Sequence, residues 1–366
     1  MKIIADQNMP LVKELFSQFG EVHLLPGRDI SRDNIGDAEI LLVRSVTEVN
    51  RFLLEHSSVR FVGSATAGTD HIDTEYLADN NIHFAYAPGC NAQAVVEYVL
   101  SVICCLCSDW QQKTVGIVGC GKVGGRLYQS LQALQIHTLV YDPLLDVAAN
   151  PHLCSFDEVL ACDIISVHTP LTKKCPYPTY HLFDSAVLEQ LQPSTLLINA
   201  SRGAVVDNIA LVNRLLVDNR LQVALDVWES EPQIDLQLLD LVTIATPHIA
   251  GYSDEGKIKG TRMLFDAMQE LYPHLAQHQA DDLIKEGVTL LDMHNTQIAE
   301  AILTCYRVTD DDHNFRQAIA NTELPVSEVF DNLRKNYPQR REFSHYRASK
   351  KLSNSEQLRR LGFTLT

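Results

Sequence analysis

The chain has 366 residues, of which 46% are hydrophobic, and a formal net charge of −16 at pH 7. This length and apolar content predict two or three packed domains. The acidic balance argues against nucleic acid as the main partner, because phosphate contacts need a basic surface. The start Met1–Asp6 is too short an apolar run for a signal peptide, and no stretch reaches the ~18 apolar residues that span a bilayer. We therefore expect no membrane partner and a cytoplasmic location.

Short apolar runs alternate with helical patterns through the first three quarters of the chain, which indicates an α/β fold. A first parallel-sheet lobe is predicted from strands at Ile3–Ala5, Val22–Leu25, Ile40–Val43, Phe61–Ala65 and Ile82–Ala85. A second series has strands at Val115–Val118, Thr138–Tyr141, Ile164–Val167, Leu196–Asn199, Val223–Leu225 and Val242–Ala245. Six strands with intervening helices are typical of a doubly wound dinucleotide fold.

Two long apolar helices, Ala92–Cys107 and Gly256–Leu271, flank the second series and are predicted to join the lobes. The first contains three of the nine cysteines, which we interpret as small buried hydrophobic residues rather than metal ligands. From about residue 280 the rhythm of strands and helices ends, which predicts a third, smaller unit. That unit is predicted to contain Gly287–Leu291, a helical stretch Thr296–Tyr306, a loop, and a second helical stretch near Val326–Leu333.

A glycine loop, Gly119-Cys120-Gly121-Lys122-Val123-Gly124, lies between a predicted strand and a helix. Gly119 permits the tight turn, Gly121 lets the backbone approach a pyrophosphate, and Gly124 lets the helix pack close to the strand. Asp142 ends the next predicted strand, near the ~20-residue offset at which an acid binds ribose hydroxyls. Because its charge would repel a 2′-phosphate, and no arginine follows it directly, NAD is favoured over NADP.

Three later segments place an arginine, carboxylates and a histidine after predicted strands: Ser201-Arg202-Gly203, Glu229-Ser230-Glu231-Pro232 and Pro247-His248-Ile249-Ala250. An imidazole titrates near neutral pH, so His248 suits a base that takes a hydroxyl proton. A carboxylate on the far ring nitrogen would fix the tautomer of that ring. Arg202 offers a planar fork for a substrate carboxylate. Together with the glycine loop, these residues predict a nicotinamide-dependent dehydrogenase.

The same segments resemble the D-2-hydroxyacid dehydrogenase family, whose pattern runs G-x-G-x-x-G, H-x-P-L-T, N-x-[SA]-R-G, D-V-[FW]-x-x-E-P and P-H-x-A. In this chain the five motifs occur in that order as Gly119–Gly124, His168–Thr172, Asn199–Gly203, Asp226–Pro232 and Pro247–Ala250. The resemblance implies that Arg202, Glu231 and His248 are catalytic. The match to the E-P pair selects Glu231 over its competitor Glu229.

The resemblance also implies an architecture of two parallel-sheet lobes. A flavodoxin-like substrate lobe would span residues 1–91 and be completed by 250–279, and a Rossmann NAD-binding domain would span 92–249. A small α+β domain at 280–366 is expected to mediate formation of a homodimer, because so small a unit favours a partner, with packing against its own subunit as the alternative. The active site would lie in the cleft between the lobes.

Further site residues follow from the resemblance. Cofactor contacts are expected from Gly119, Gly121, Lys122, Val123, Gly124, Asp142, Thr169, Asp226 and Gly251. Substrate contacts are expected from Arg44, Ser45, Thr66, Gly89 and Tyr252. Because Gly89-Cys90-Asn91 is predicted to begin a helix, its exposed N–H groups suit a carboxylate. His168 is expected to line the cofactor cleft, and no metal site is expected.

Within the family, four segments resemble a branch that oxidises a small phosphorylated 2-hydroxy acid with NAD in pyridoxal 5′-phosphate biosynthesis: Val43–Thr47, Ala65–Asp73, Ala87–Asn91 and the C-terminal extension. One departure from the family pattern is the stretch Lys173–His181, which predicts a longer loop near the cofactor cleft. Two alternatives stay open. One is another hydroxyacid specificity, such as 3-phosphoglycerate, and the other is a non-catalytic NAD-sensing scaffold, because fold alone does not give function.

The end of the chain is basic although the whole chain is acidic. From residue 334 onward nine Lys and Arg residues face only Glu342 and Glu356: Arg334, Lys335, Arg340, Arg341, Arg347, Lys350, Lys351, Arg359 and Arg360. This segment is either a solvated or subunit-contacting surface, or a source of positive charge for a phosphorylated substrate. Arg44 and Arg262 are further candidates for holding the phosphate.

Overall fold

A computed structural model describes residues 1–150, 152–275, 278–283, 291–293 and 297–366. The chain divides into two compact units. The first comprises Met1–Asn91 and Ser253–Thr289, and the second comprises Ala92–Tyr252 and Leu290–Thr366. No helix within the described ranges is both long and apolar enough to cross a membrane.

The elements before residue 92 alternate strictly between strand and helix. They are β1 (Lys2–Asp6), α1 (Val12–Phe16), β2 (Glu21–Leu25), α2 (Arg32–Ile35), β3 (Ile40–Val43), α3 (Arg51–Leu54), β4 (Phe61–Ser64), α4 (Thr74–Asp79) and β5 (His83–Tyr86).

The elements from residue 92 to 252 begin with the long apolar helix. They are α5 (Ala92–Leu106), β6 (Val115–Val118), α6 (Lys122–Ala133), β7 (Thr138–Tyr141), α7 (Phe156–Leu160), β8 (Ile164–Val167), α8 (Ser185–Gln190), β9 (Leu196–Asn199), α9 (Asn208–Val217), β10 (Gln222–Leu225), α10 (Leu236–Leu241) and β11 (Ile244–Ala245).

The remaining elements are mostly helical. They are α11 (Asp254–Leu271), α12 (Ala280–Leu283), β12 (Leu291–Met293), α13 (Ile298–Cys305), α14 (Val308–Ala320), α15 (Val326–Lys335), β13 (Tyr346–Ala348), α16 (Ser355–Leu361) and β14 (Thr364–Leu365).

The first unit is built on a parallel five-stranded sheet of order β2-β1-β3-β4-β5. This is the flavodoxin-like order that the sequence led us to expect. Side chains alternate between the two faces of the strands: Ile40 and Leu42 pack in the cluster that contains Phe265 of α11. Leu41 and Val43 pack in the cluster on the other face. Helices cover both faces, so the central strand β3 is a continuous run of buried apolar residues.

The second unit contains a parallel six-stranded sheet of order β11-β10-β9-β8-β6-β7. An isolated parallel bridge between Val140 and Leu153 extends this sheet beyond β7. With that bridge, the order corresponds to the doubly wound dinucleotide fold, so the predicted α/β architecture of two parallel-sheet lobes is confirmed. The strands β6 to β9 have the bounds predicted from sequence, because their residues are almost all buried and apolar.

The C-terminal residues pack onto the second unit. Ile298 and Ile302 of α13 are buried in the same cluster as Val99 and Ile103 of α5. The strands β12, β13 and β14 form a separate, parallel three-stranded sheet. The predicted segment Gly287–Leu291 lies outside the described residues apart from its last residue, which begins β12.

One predicted loop was wrong. The sequence pattern placed a loop between Tyr306 and Val326, whereas Val308–Ala320 is a helix of 13 residues. Its first turn contains Asp310 and Asp311, and negative charge is favourable at a helix N-terminus. Val308 and Phe315 are seven residues apart on one face and are fully buried, so the helix is held by tertiary packing.

Candidate active site

The glycine loop joins β6 to α6 in the way its sequence predicts. Gly119 has a φ of 90°, and a Cβ there would lie 2.8 Å from the carbonyl oxygen of His168. A Cβ on Gly124 would overlap the carbonyl oxygen of Gly119, whereas a Cβ on Gly121 would meet nothing within 4 Å. The first and third glycines are therefore required by the fold itself. Gly121 instead leaves open space next to the loop, as a bound pyrophosphate requires.

The helix after this loop begins at Lys122, with Gly121 as its N-cap residue. The N–H groups of Lys122, Val123 and Gly124 belong to the first turn, where a helix supplies no backbone acceptor. These donors, together with the positive end of the helix dipole, form a site for an anion.

Asp142 follows β7 and faces the glycine loop. Its Oδ2 accepts a hydrogen bond from the Cys120 N–H at 2.8 Å, and its Oδ1 accepts one from the Leu144 N–H at 3.0 Å. Each carboxylate oxygen has two lone pairs, so both can still accept a ribose hydroxyl. The position therefore fits the adenosine ribose of a dinucleotide without a 2′-phosphate.

His168 and Thr169 follow the neighbouring strand β8. The Thr169 hydroxyl and the His168 Nδ1 are buried and have no hydrogen-bond partner among the described residues. Such orphaned polar atoms fit a cofactor that supplies their partners. Burial lowers the pKa of His168 to about 3, so this ring is neutral at physiological pH and is not suited to act as the acid or base.

Asp226 directly follows β10 and holds the loop that carries His248. It is only 1% exposed and accepts hydrogen bonds from the Thr246 hydroxyl at 2.7 Å, the Ile249 N–H at 2.8 Å and the Ala250 N–H at 3.0 Å. Burial raises the pKa of Asp226, against the effects of the charge on His248 and of these hydrogen bonds. The carboxylate thus fixes the backbone on either side of His248, a role that the motif alone did not reveal.

His248 and Glu231 form a direct pair. The distance between His248 Nδ1 and Glu231 Oε1 is 2.5 Å, and Glu231 Oε2 accepts the Trp228 N–H at 3.1 Å. Burial raises the pKa of Glu231, but the charge and the hydrogen bond of His248 lower it by more. The Trp228 N–H and the charge of Arg334 lower it further by smaller amounts. The net result is a lowered pKa, so Glu231 is ionised beside the ring. With Nδ1 engaged, Nε2 is the nitrogen that can exchange a proton with a substrate.

Arg202 lies on the loop after β9. The side chain of Asn199 accepts hydrogen bonds from the Ser201 N–H and hydroxyl at 3.1 and 2.8 Å, and donates one to the Arg202 carbonyl at 3.0 Å. A Cβ on Gly203 would overlap the Trp228 carbonyl, so this loop is packed tightly against the loop that carries Glu231. The backbone contacts therefore bring the two loops together.

The competing carboxylate, Glu229, belongs to a different cluster that sequence reasoning missed. Its Oε1 lies 2.7 Å from His181 Nε2, and His181 Nδ1 lies 3.5 Å from an oxygen of Asp207. The backbone N–H of His181 also donates to the Ala204 carbonyl at 2.8 Å. His181 ends the loop that departs from the family pattern, and it connects that loop to the segments that follow Arg202 and precede Glu231.

These three side chains, His181, Asp207 and Glu229, also offer potential metal ligands within 4.8 Å of one another. The two ring nitrogens of His181 face different carboxylates, so a single ion could not use the ring and both acids without rearrangement. A protonated ring can donate to both carboxylates. The cluster is described best as a polar clamp held by the hydrogen bond between His181 and Glu229, and the expectation of no metal stays a prediction.

Four predicted substrate residues lie in the first unit. Arg44 and Ser45 follow β3, Thr66 follows β4, and Gly89 follows β5. These strands are parallel neighbours, so the four residues share the edge of the sheet at the carboxyl ends of its strands. Burial and the nearby charge of Arg44 lower the pKa of Lys257, which indicates a positive potential at this edge.

Two details at this edge differ from the sequence interpretation. The segment Gly89–Asn91 was predicted to begin a helix, but it is a turn with a φ of 78° at Gly89, and α5 begins at Ala92. The Thr66 hydroxyl donates to the Gly68 carbonyl at 2.8 Å and lies 2.7 Å from the Ser64 hydroxyl. A substrate that binds Thr66 would thus join an existing chain of hydrogen bonds.

Gly251 and Tyr252 follow the His248 loop in the second unit. The Tyr252 N–H donates to the Ile249 carbonyl at 2.8 Å, and its ring packs edge-on against Tyr337 at 5.7 Å between ring centroids. Arg334 lies over the same ring, 5.9 Å from its centroid. The C-terminal extension therefore contributes side chains next to a predicted substrate contact, which no sequence motif indicated.

Four features together define a class of protein. They are the dinucleotide fold, the anion-binding glycine loop, an acid positioned to bind ribose, and an imidazole–carboxylate pair beside an arginine loop. This class is the NAD-dependent dehydrogenases of 2-hydroxy acids. The family model described as "D-isomer specific 2-hydroxyacid dehydrogenase, NAD binding domain" matches residues 104–250. A second model, described as "Domain of unknown function (DUF3410)", matches residues 288–362.

Comparison with similar proteins identifies a family within this class. A protein named erythronate-4-phosphate dehydrogenase from Cellvibrio japonicus (strain Ueda107) is 45% identical over 363 residues, covering 94% of each chain. One of the same name from Pseudomonas fluorescens (strain SBW25) is 47% identical over 357 residues, covering 93% of each. The chain therefore belongs to the erythronate-4-phosphate dehydrogenase family, within the NAD-dependent D-2-hydroxyacid dehydrogenases. The family and the cofactor predicted from the sequence are confirmed.

Solved structures support the fold. The NAD⁺-bound 3-phosphoglycerate dehydrogenase of Entamoeba histolytica superimposes with a TM-score of 0.64 at 23% identity, over 76% of this chain and 98% of that one. The D-lactate dehydrogenase of Aquifex aeolicus, complexed with NAD and lactic acid, gives a TM-score of 0.62 at 21% identity, over 75% of this chain and 96% of that one. Each match leaves about a quarter of this chain uncovered.

Proposed function

We propose that this enzyme oxidises 4-phospho-D-erythronate to 2-oxo-3-hydroxy-4-phosphobutanoate, with NAD as the hydride acceptor, in the biosynthesis of pyridoxal 5′-phosphate. The reaction class rests on one observation above all, the 2.5 Å pairing of His248 with Glu231 in a dinucleotide-binding unit. The choice of substrate rests on the relatives of that name, which are similar over almost the entire chain.

The pairing of His248 with Glu231 supports the catalytic roles proposed here. His248 Nε2 takes the proton of the C2 hydroxyl as the C2 oxygen becomes a carbonyl. Glu231 holds Nδ1, which orients the ring and stabilises the imidazolium once the proton has transferred. Arg202 binds the substrate carboxylate through its planar fork. When bound, NAD supplies the acceptor for the hydride that leaves C2.

The binding roles are proposed from the family motifs, and the open space at Gly121 and the unpaired Thr169 hydroxyl support them. Gly119, Gly121, Lys122, Val123 and Gly124 would hold the pyrophosphate. The remaining cofactor contacts would come from Asp142, Thr169, Asp226 and Gly251. On the substrate side, Ser45, Thr66, Gly89 and Tyr252 would contact the acid, with Arg44 adding positive charge.

The test is nicotinamide reduction by the purified protein with NAD and a panel of 4-phosphoerythronate, 3-phosphoglycerate, D-lactate and D-glycerate. Selective turnover of 4-phosphoerythronate is expected. Preference for another acid would keep the reaction class and reject the substrate. Absence of turnover across the panel, with NAD binding demonstrated separately, would favour a sensing role for the fold.

We also propose that the enzyme is a cytoplasmic homodimer, formed through the region 280–366. In the described part of that region, Leu324 is 51% exposed and could contact a partner. Light scattering coupled to size exclusion should give twice the chain mass of 41.0 kDa. A monomer mass would reject the dimer.

A further inference from the structure

Arg334, near the end of α15, lies beside the catalytic groups of the second unit. Its guanidinium carbon is 5.9 Å from the ring centroid of Tyr252 and 5.8 Å from that of Phe330. Its positive charge also acts on Glu231, the partner of His248. A side chain of the C-terminal extension therefore reaches the surroundings of the catalytic pair.

The hydrogen-bonding state of Arg334 is unusual. Its Nε is buried and has no hydrogen-bond partner within the described ranges. Although Arg334 as a whole is half-buried, buried polar atoms such as this Nε are nearly always paired in folded proteins. An unpaired donor beside the active site points to an acceptor that a ligand supplies.

Several other basic residues already have protein acceptors. Arg340 also has a buried Nε without a partner among the described residues, but its Nη1 and Nη2 already donate to the carbonyls of Ala250 and Ala94 at 3.1 and 2.7 Å, and it stacks on Tyr306. Arg359 and Arg360 both pair with Glu356. Arg262 pairs with Asp281 at 2.6 Å. Among the candidates that the sequence left open, Arg334 combines an unpaired buried donor with proximity to the catalytic pair.

We infer that Arg334 binds the phosphate of the substrate. The inference rests on the proposed function. Arg202 is assigned to the carboxylate next to the reacting carbon, which leaves the phosphate at the other end of the acid as the second anionic group. A guanidinium fork matches phosphate oxygens with two parallel hydrogen bonds. Arg334 is therefore a specificity-determining binding residue.

This assignment gives the C-terminal extension a role in catalysis. The NAD-binding family model ends at residue 250, and α15 lies inside the separately matched region 288–362. The general dehydrogenase frame would supply the base and the cofactor site. The extension would add the positive charge that distinguishes a phosphorylated acid from an unphosphorylated one.

The experiment compares full-length wild type with Arg334→Gln, Arg334→Lys and the matched control Lys335→Gln, which changes the exposed neighbour. Steady-state kinetics are measured with NAD and either 4-phosphoerythronate or erythronate, and with inorganic phosphate as inhibitor. Arg334→Gln should raise KM for the phosphorylated acid by about 10- to 100-fold, because a hydrogen bond to a charged group is lost. Phosphate inhibition should weaken in parallel, while kcat and the kinetics with erythronate stay within about twofold. The control should behave as wild type.

Other outcomes separate the inference from the proposed function. An equal loss with both acids would mean that Arg334 acts through Glu231, and unchanged kinetics would mean that it does not bind substrate; either result overturns the inference alone. A wild type that shows no preference for 4-phosphoerythronate would overturn the proposed function together with the inference. If Arg334→Gln fails to fold or to bind NAD, Arg334→Lys decides the matter, since loss of the fork should still raise KM selectively.

Discussion

His248 has a left-handed backbone conformation, with a φ of 56° that few residues other than glycine adopt. Its N–H donates to the Asp226 carbonyl at 2.7 Å, and the Asp226 carboxylate accepts from the next two N–H groups. Surrounding hydrogen bonds thus hold a locally unfavourable backbone, as is common where a side chain must be aimed. The result is an imidazole aligned with Glu231.

The base assignment can be tested at this residue. We expect His248→Asn to lower kcat by about 10²- to 10⁴-fold, because the amide cannot take a proton. Asparagine tolerates a positive φ, so the loop should persist and NAD binding should be retained. The measurement is kcat beside a fluorescence titration of NADH. His137→Asn, on an exposed residue, is the control, and a near-normal rate in His248→Asn would refute the role.

Cofactor selectivity can also be tested at one residue. We expect Asp142→Ala to reduce the preference for NAD over NADP by about tenfold or more, because the charge that binds the ribose hydroxyls and repels a 2′-phosphate is removed. Absolute affinity for NAD should fall as well, since Asp142 also accepts from Cys120. The ratio of kcat/KM for the two cofactors is the measurement. The exposed Asp157→Ala serves as control, and an unchanged ratio contradicts the prediction.

Among the strands and helices, the buried apolar strands were predicted correctly, whereas a helix with a polar first turn was not. The strands of both parallel sheets were found because helices cover both faces and the strand sequences are short apolar runs. The helix α14 was missed because its aspartates resemble a polar loop. In the structure the Asp312 side chain accepts from the Ala245 N–H at 2.7 Å and from Arg316 at 2.9 Å. Ala245 is 67 residues from Asp312, so no local pattern could indicate that contact, whereas the Asp312–Arg316 pair is a local contact between positions i and i+4.

The glycine loop allows a contrast between folding and binding within one element. Gly124→Ala should destabilise the protein by about 1–3 kcal/mol, because its Cβ would overlap the Gly119 carbonyl. Gly121→Ala should leave the melting temperature unchanged, since its Cβ meets nothing within 4 Å, yet weaken NAD binding by filling the space for the pyrophosphate. Thermal melts and NAD titrations of both variants test this. Equal destabilisation by the two substitutions would reject the distinction.

For the molecule as a whole, the C-terminal extension is integrated into the second unit. Glu97 of α5 is fully buried and accepts the Phe343 N–H at 2.8 Å and a hydrogen bond from Gln93 at 2.9 Å. Gln93 in turn donates to the Leu361 carbonyl at 3.0 Å. The pKa of Glu97 is raised to about 8, chiefly by burial. The charge of Glu342 raises it further, and the charge of Arg340 lowers it.

This buried acid predicts a pH dependence of stability. Between the unfolded pKa of about 4.5 and the folded value of about 8, the folded state holds a proton that the unfolded chain has lost. The free energy of unfolding should therefore fall as pH rises through this window, by up to about 1.4 kcal/mol per pH unit. Glu97→Gln should remove that component and exceed wild type in melting temperature at about pH 9.

The measurement is the melting temperature of both proteins at several pH values from about 5 to 9. Other groups titrate in this range, so the quantity that matters is the difference between variant and wild type. Glu300→Gln, on an exposed position of α13, should give a difference that does not vary with pH. A constant difference for Glu97→Gln as well would contradict the prediction.

By itself, the sequence determined the family, the two parallel sheets, the glycine loop and the choice of NAD. Each of these is encoded by residues close together in the chain, where glycines and apolar runs dictate local backbone geometry. The E-P motif had already selected Glu231 as the carboxylate for His248, and the tertiary structure added that the competing Glu229 faces His181. It also decided how the C-terminal extension packs and that Arg334 lies beside the catalytic pair. Contacts such as that of Arg340 with Ala94, 246 residues apart, arise only when the chain has folded, because side-chain chemistry does not specify a distant partner.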